Sequence, residues 1–274
     1  MPAQMDEQQF KESVVAKFRE HFDHFYRLHQ FAEAALQEYR GFTKDHYFAA
    51  LQAICPRAFK SFDAIRRLCE VASCEDAAVV LRCLLNLMAV TRWISRDPQR
   101  RAKKYLAWYW IELHRQAEQF PGRIPPAWVV DIRKNFDAVK SQFEYGDAKG
   151  KIKLVKHWYR PDVHTIFDLF KEVDLELHYE EAYRPLSGTE HSDVMTYFAM
   201  FANAEKRDGE TKLEIQSDSF VRSYLRNGFQ YFADIFGICN KTMALADDKQ
   251  FQEIVAAGIT FYQADLEARG FQSL

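Results

Sequence analysis

Apolar residues recur at three- and four-residue spacings along most of this chain, which is the pattern of amphipathic helices. Alternation with a period of two, which would predict strands, is almost absent. The chain is therefore expected to be all-α, a multi-helix bundle of about eight to ten helices. The first predicted helix is long and amphipathic and covers residues 5–40; its apolar positions are Phe10, Val14, Phe18, Phe22, Phe25 and Leu28.

Prolines and capping residues divide the rest of the chain into further helices. Asp45 can cap a helix through Ala53, and Pro56 suits the first turn of a helix over residues 57–71. The apolar positions of residues 76–94 extend nearly all the way round, which is typical of a buried central helix. Two further helices are predicted over residues 99–119 and 127–145. Asp162 is predicted to cap a helix that ends at Leu169, and another helix is predicted to end near Tyr183. The last three predicted helices cover residues 192–206, 217–245 and 248–268.

Residues 145–160 are predicted to form one irregular loop. Two glycines favour mobility near its start, and the basic segment that begins at Lys151 is possible β structure by its pattern. We treat this loop as a hinge rather than a boundary. The prediction is thus a single all-helical domain over residues 1–274, with a core over 45–205 and a C-terminal helical pair over 217–268.

Composition limits the classes of protein that this chain can represent. Apolar residues make up 48% and charged residues 28%, as in ordinary soluble globular proteins. The net charge of −2 gives no global basic field, so an RNA contact would have to use a local patch. Five cysteines without a CxxC pair suit free thiols in a reducing compartment. With a polar N-terminus and no run of 18 apolar residues, a cytoplasmic protein without membrane association is expected.

An arginine and a histidine stand seven positions apart, at Arg184 and His191. Arginine can bind a phosphate bidentately, and a histidine can accept or donate a proton near neutral pH. The pair can therefore hold a phosphodiester and move its proton. The alternative is structural, with Arg184 paired to Glu180 or Glu181 and His191 assisting a helix cap.

A turn is predicted between these two residues because of Pro185. A residue that precedes proline is biased away from α geometry, so a helix is expected to end at Arg184. A second helix would then begin at His191, with Ser187 or Thr189 capping its start. A helix N-terminus favours an anion, so this arrangement would suit a phosphate group.

Arg82 lies in an apolar stretch where an unpaired charge would be costly. It needs a partner, which can be an acid such as Asp63 or Glu190, a helix carbonyl or a ligand phosphate. Asn86 falls one turn later on the same face and can join that network. A structural polar network and a ligand site are both open at this point.

The segment 149–160 mixes cations with aromatic rings, among them Lys156 and Trp158. Such a mixture is typical of surfaces that bind single-stranded nucleic acid, and the alternative is a solvated loop anchored by its tryptophan. The histidines form no clean ligand pair, and no glycine-rich phosphate loop is present, so neither a metal nor a cofactor is expected. A second arginine-to-histidine spacing, from Arg40 to His46, shows that such pairs also arise by chance.

Several short blocks resemble the bacterial helical family known as domain of unknown function 5677. The resemblance covers roughly residues 45–205, and the later blocks include Trp158 and the Arg184-to-His191 stretch. Asn86 stands where the family's first block usually carries a glutamate. The blocks occur in the expected order at residues 63–69, 76–86, 94–98, 102–105 and 183–191.

The spacing of Arg184 and His191 also resembles the signature of the HEPN superfamily, an arginine followed by a short spacer and a histidine. HEPN proteins are small helical bundles, and many are metal-independent ribonucleases of toxin, abortive-infection and antiphage systems. The resemblance implies that Arg184 grips the scissile phosphate and that His191 acts as acid or base. It also implies that Ser187 supports the phosphate or the cap. Pro185 departs from the polar residue that commonly follows the arginine.

Two functional hypotheses follow. The first is a protein that cleaves or binds RNA in a stress or phage-defence setting. It would act as a homodimer that concentrates two Arg184 side chains and residues 149–156 at one groove. The second is a non-catalytic binding, sensor or scaffold protein whose Arg82–His191 region is a structural network or a small-ligand pocket. A third possibility is a protein that binds a nucleotide without hydrolysing it. Such binding would use the same arginines and would persist after the loss of His191.

Overall fold

The structure is a computed structural model that describes residues 6–41, 45–147, 150–160, 162–190, 206–207, 210–211 and 218–270. Helices dominate these residues, which confirms the predicted all-α multi-helix bundle. The helices are α1 (Glu7–Lys17), α2 (Arg19–Glu38), α3 (His46–Glu70), α4 (Cys74–Arg96), α5 (Pro98–Gln119), α6 (Pro126–Val139), α7 (Ile166–Glu172), α8 (Glu176–His178), α9 (Arg184–Glu190), α10 (Asp218–Met243) and α11 (Asp248–Ala268).

Two short antiparallel hairpins accompany the helices. Strand β1 (Glu144–Gly146) pairs with β2 (Ile152–Leu154), and Tyr145 lies opposite Lys153. Part of the segment predicted as an irregular loop is therefore an ordered hairpin, in agreement with its β-like pattern. A second pair joins β3 (Lys206–Arg207) to β4 (Glu210–Thr211). Most of the helix predicted over 192–206 lies outside the described residues.

The predicted N-terminal helix is two helices, α1 and α2, which meet at Phe18. This residue has φ −112° and ψ 28°, outside the α region, and its side chain is buried. The hydrogen bonds continue through the corner, because Phe18 N donates to Val14 O and Phe22 N donates to Phe18 O. Neither proline nor glycine marks this position, so the break follows from tertiary packing and escapes a local pattern.

The two helices predicted on either side of Pro56 are one helix, α3. A proline inside a helix removes one backbone hydrogen bond, and this loss does not end the helix when packing holds both sides. Ile54, Cys55 and Ala58 flank the proline and are all buried. Packing therefore overrides the local signal for a helix start.

The predicted cap of the helix before Leu169 is also wrong. Helix α7 begins after Thr165, whose hydroxyl accepts a hydrogen bond from Asp168 N while the Asp168 carboxylate accepts one from Thr165 N. This reciprocal capping box satisfies the free amides of the first turn. Asp162, the predicted cap, instead accepts hydrogen bonds from Arg100 and Lys104.

The chain divides into two compact units, and α3 and α4 each contribute residues to both. Unit 1 comprises residues 1–42, 52–91 and 177–274, and unit 2 comprises residues 43–51 and 92–176. The single domain predicted over 1–274 stays a prediction. In unit 1, stacked rings fill the core, with Phe62 lying 3.9 Å from Phe25 and 4.3 Å from Phe232 between ring centroids. In unit 2, Ile111 and Phe143 belong to one core cluster.

Helix α4 is long and apolar enough to cross a membrane by length and composition alone, with a mean hydropathy of 1.6 over an 18-residue window. However, 61% of that window is buried inside the protein. Such burial is typical of a core helix, as the nearly continuous apolar pattern predicted.

Candidate functional site

Arg82 on α4 is half-buried, and Tyr183 is its partner. Arg82 Nη2 donates a hydrogen bond of 3.3 Å to the Tyr183 hydroxyl, and the guanidinium carbon lies 4.7 Å from the centroid of that ring. The face of an aromatic ring attracts a cation, so Tyr183 helps to compensate the charge. Asp63, a partner suggested by the sequence, accepts hydrogen bonds from Arg66 and Arg67.

Asn86 follows Arg82 by one turn of α4 and is also half-buried. Its Oδ1 atom is buried and accepts no hydrogen bond from the described part of the chain. A buried carbonyl oxygen without a donor costs on the order of 1–3 kcal/mol. The ligand-site hypothesis for Arg82 and Asn86 therefore stays a prediction.

Arg184 is part of a helical segment and does not end one. Helix α8 continues into a π-helical turn over Tyr179–Tyr183 and then into α9. Arg184 has φ −69° and ψ −48°, and its amide donates to Tyr179 O, five residues back. The wider π turn accommodates Pro185, because a proline ring would otherwise crowd the carbonyl four residues before it. The turn predicted at Arg184 is thus wrong.

The Arg184 side chain is 73% exposed and forms an ion pair of 3.0 Å with Glu180. This is the structural pairing that the sequence offered as an alternative. An exposed pair of this kind contributes about 0.3–0.5 kcal/mol, so a phosphate could displace the glutamate at low cost. The geometry therefore leaves the guanidinium available to an anionic ligand.

The remaining residues of the predicted catalytic group are described only in part. Ser187 lies inside α9 and is half-buried, so it caps no helix start. Glu190 is the last residue of α9. His191 lies outside the described residues, and its position relative to Arg184 stays a prediction.

Lys156 and Trp158 belong to unit 2. Trp158 is half-buried and makes edge contacts with Trp93 and Tyr105, at 5.3 and 4.9 Å between ring centroids. Lys156 is exposed. Trp158 therefore packs against neighbouring rings, as the anchored-loop interpretation predicted, and the nucleic-acid role of this segment stays a prediction.

Sequence reasoning missed a buried carboxylate, Glu70 at the end of α3. It is 2% exposed, accepts a hydrogen bond of 2.9 Å from Tyr26, and forms ion pairs with Lys11 and Arg66. Burial alone would raise the pKa of Glu70, but the bonds from Lys11 and Tyr26 and the charge of Arg66 leave it below its usual value. Burial, with the bond to Glu70, raises the pKa of Tyr26 to about 12. The only signal in the sequence was the four-residue spacing of Arg66 and Glu70.

Unit 2 has its own polar network around Trp93. The Trp93 indole and Arg101 Nη2 both donate to Oε2 of Glu172, at 2.7 and 2.9 Å. The Arg101 guanidinium also lies 3.8 Å from the Trp93 ring centroid. These residues bind one another within the protein, so we interpret the network as structural.

The described residues offer cavities but no cluster of His, Cys, Asp or Glu that could hold a metal ion. In unit 1, a cleft of 640 Å³ is lined by Lys11, Arg66 and Glu70. An apolar cavity of 310 Å³ lies beside Cys55 and Phe59. Neither cavity includes Arg82 or Arg184 among its lining residues.

Comparisons with known proteins place the chain in one family. The sequence profile described as "Family of unknown function (DUF5677)" matches residues 48–210, more than half of the chain. The match contains Arg82, Asn86 and the segment from Arg184 to His191. No curated protein and no solved structure matches the chain.

Proposed function

The chain belongs to the family of unknown function DUF5677, and we propose that it is a HEPN-like, metal-independent ribonuclease that acts in phage defence or stress response. Arg184 binds the scissile phosphate and His191 transfers a proton. The observation that supports the proposal best is the exposed Arg184 guanidinium at the start of α9, which forms a surface ion pair with Glu180.

The helical backbone of α9 supports the pairing of Arg184 with His191. The proposal requires both side chains on the same side of the segment. Residues seven positions apart on a helix are separated by about 700°, close to two full turns. The residues from Arg184 to Glu190 are helical, and the proposal adds that His191 continues this helix, so that both side chains reach one phosphate.

The chemistry would be an internal transphosphorylation of RNA. His191 accepts the proton of the ribose 2′-hydroxyl as the 2′-oxygen attacks phosphorus, or it donates a proton to the departing 5′-oxygen. The bond from phosphorus to the 5′-oxygen breaks and leaves a 2′,3′-cyclic phosphate and a 5′-hydroxyl. Arg184 stabilises the negative charge that builds on the phosphate oxygens, and Ser187 adds a hydrogen bond to it or supports the helix.

Arg82 would act as a positioning residue in this proposal. Its contact with Tyr183 holds the π turn that directly precedes Arg184. Asn86 offers beside it a buried acceptor that has no donor among the described residues, and Glu190 remains a candidate substrate contact. Lys156 and Trp158, which belong to unit 2, remain candidate substrate contacts by residue type alone. The protein would work in the cytoplasm as a homodimer, which raises the local positive charge despite a net charge of −2 per chain.

The first test is cleavage of a labelled RNA pool in EDTA by the wild type, His191→Ala and Arg184→Ala. Cleavage that both substitutions abolish, with folding intact by circular dichroism, supports the proposal. Arg67→Ala is a matched control, because Arg67 is 70% exposed and pairs with Asp63 four residues away. His164→Ala is a second control, because it removes a histidine that is exposed in the structure. Cleavage retained in His191→Ala contradicts the proposed proton transfer.

A non-catalytic binding, sensor or scaffold protein is the second candidate. The observation in its favour is that Arg82 and Arg184 both have partners within the protein, Tyr183 and Glu180. This candidate predicts that no RNA is cleaved by any variant. If RNA or a nucleotide binds equally well to the wild type and to His191→Ala, without cleavage, this second function replaces the first.

A further inference from the structure

Several cationic groups of unit 1 surround a single carboxylate where α2, α10 and α11 pack together. The carboxylate is that of Asp265 on α11. Arg269 forms an ion pair with it, and Arg269 Nε donates a hydrogen bond of 3.1 Å to the Asp265 carbonyl. Arg222 Nη1 lies 3.6 Å from Oδ1, and His21 Nε2 lies 3.4 Å from Oδ2. The Asp265 carboxylate is thus the shared neighbour of Arg269, Arg222 and His21.

Arg226 adds a further positive charge to this cluster. It lies one turn after Arg222 on α10 and is half-buried. Its Nε donates a hydrogen bond of 3.1 Å to Oδ1 of Asn227, which is a neutral acceptor. Burial lowers the pKa of Arg226, and the nearby charge of Arg269 acts in the same direction while Asp265 opposes it.

Among the described side chains, the cluster therefore has an excess of positive charge. Arg222, Arg226 and Arg269 contribute three guanidinium groups, which stay charged at any physiological pH, and Asp265 contributes the carboxylate that faces them. Burial lowers the pKa of His21, so this histidine adds little charge near neutral pH. Half-buried like charges repel one another, and a bound anion would relieve that repulsion.

An anion can reach the cluster from solvent. The Arg222 and Arg269 side chains are 29% and 27% exposed, and Asp265 is 17% exposed. Arg222 Nε is buried and has no hydrogen-bond partner among the described residues. The Arg222 guanidinium also lies 5.4 Å from the Phe18 ring centroid, which orients it.

We propose that Arg222, Arg226 and Arg269 form a binding site for a phosphate group. Guanidinium groups present paired donors that match phosphate oxygens, and three of them suit a doubly charged anion. The phosphate could be free, part of a nucleotide, or part of an RNA backbone. The site shares no residue with the proposed pair Arg184 and His191, so it extends the protein's chemistry beyond that proposal.

The test is a titration of the protein with inorganic phosphate at constant pH and ionic strength, in which phosphorus NMR measures the binding. Arg226→Met and Arg222→Met should each weaken phosphate binding about tenfold or more, because each removes a charge-assisted contact. Arg67→Met is the matched control and should leave the affinity unchanged. Equal affinity in the wild type and both cluster variants, or no binding by the wild type, overturns the site.

Asp265→Asn is the decisive second variant. It removes the carboxylate that competes with phosphate but keeps the three arginines, so phosphate should bind more tightly than to the wild type. A purely structural cluster would show no such gain. Unchanged or weaker binding by a folded Asp265→Asn protein therefore contradicts the proposal.

Two further titrations distinguish the source of the phosphate. A nucleoside monophosphate and a single-stranded RNA oligonucleotide are compared in the wild type and Arg226→Met. If Arg226→Met weakens binding of the mononucleotide alone, the cluster is a small-molecule site. If it weakens binding of the oligonucleotide as well, the cluster contacts RNA. His191→Ala should keep inorganic phosphate binding at this cluster, so failure of the ribonuclease proposal and failure of this site give different results.

Discussion

The hydroxyl of Tyr183 accepts a hydrogen bond from Arg82, a residue 101 positions earlier in the chain. This contact joins the buried helix α4 to the π turn that precedes Arg184. An arginine in an apolar helix needs compensation, and an aromatic ring with a hydroxyl provides both a cation–π contact and a hydrogen bond. The pair therefore couples the core of unit 1 to the segment that carries the proposed phosphate-binding arginine.

Substitutions at Tyr183 should separate the two parts of this contact. Tyr183→Phe removes only the hydroxyl and should lower the free energy of unfolding by about 0.5–1.5 kcal/mol. Tyr183→Ala also removes the ring and should cost about 2 kcal/mol more. Urea denaturation measures both values, with Tyr109→Phe at an exposed tyrosine as the control. Equal losses for Tyr183→Phe and Tyr183→Ala would contradict a role for the ring.

Glu70→Gln should destabilise unit 1 at neutral pH by about 3 kcal/mol, because it leaves the cations around Glu70 without their buried carboxylate. The folded protein holds the pKa of Glu70 below its usual value of 4.5. Its stabilisation is thus present above that value and lost as the pH falls through the lowered pKa. Denaturation across the acidic range should therefore show a shallower loss of stability in Glu70→Gln.

Glu33→Gln is the control for this pH dependence. Glu33 is 46% exposed and faces His29 at 3.9 Å, so its loss should change the free energy of unfolding by less than about 0.5 kcal/mol. If the stability of Glu70→Gln falls with decreasing pH as steeply as that of the wild type, Glu70 is not the cause of this pH dependence.

The two partners of a half-buried ion pair in unit 2 should differ in their effect on stability. Lys104 is 7% exposed and donates to Asp162 at 3.1 Å, while Arg100 also binds that carboxylate. Lys104→Met removes a buried charge and leaves Asp162 with Arg100, so the cost should stay within about 1 kcal/mol. Asp162→Asn leaves Lys104 buried without its acid and should cost about 3 kcal/mol.

The pH dependence of the same variants gives a second measurement. Burial lowers the pKa of Lys104 below its usual value of 10.5, although Asp162 opposes this. A lowered lysine pKa means that folding favours the neutral amine. The free-energy cost of burying the charged Lys104 side chain is therefore relieved as the pH rises. Removal of Asp162 lowers the pKa further. The stability deficit of Asp162→Asn should therefore shrink at alkaline pH, and a deficit independent of pH would contradict this cause.

Two helical glycines should respond oppositely to alanine. A Cβ at Gly258 would lie 2.7 and 2.9 Å from the two Cε atoms of the buried Phe229 ring, and Gly258→Ala should cost about 1–3 kcal/mol. A Cβ at Gly228 would lie 3.4 Å or more from its neighbours, so Gly228→Ala should stabilise α10 by up to about 1 kcal/mol. Thermal unfolding of both variants tests this difference in sign.

The helix pattern was predictable over long, strongly periodic stretches. The boundaries predicted for α4, α5, α10 and α11 agree with the structure within a few residues, because each helix carries its own apolar period and end signals. The candidate site was predictable only as a set of residue types. The need of Arg82 for a partner followed from its apolar neighbours, but its contact with Tyr183 did not, since that residue is distant in the chain.

The sequence by itself determined the helical class, the buried character of α4 and the shortage of net charge, because these depend on composition and local spacing. Tertiary structure decided the rest. It carried α3 through Pro56, broke the N-terminal helix at Phe18 and continued a helix through Pro185. The energy of packing against distant residues exceeds the local preference of a single residue by several-fold, so contacts between remote segments overrule it. The arginine cluster around Asp265 arose in the same way, since α2, α10 and α11 meet only in the folded chain.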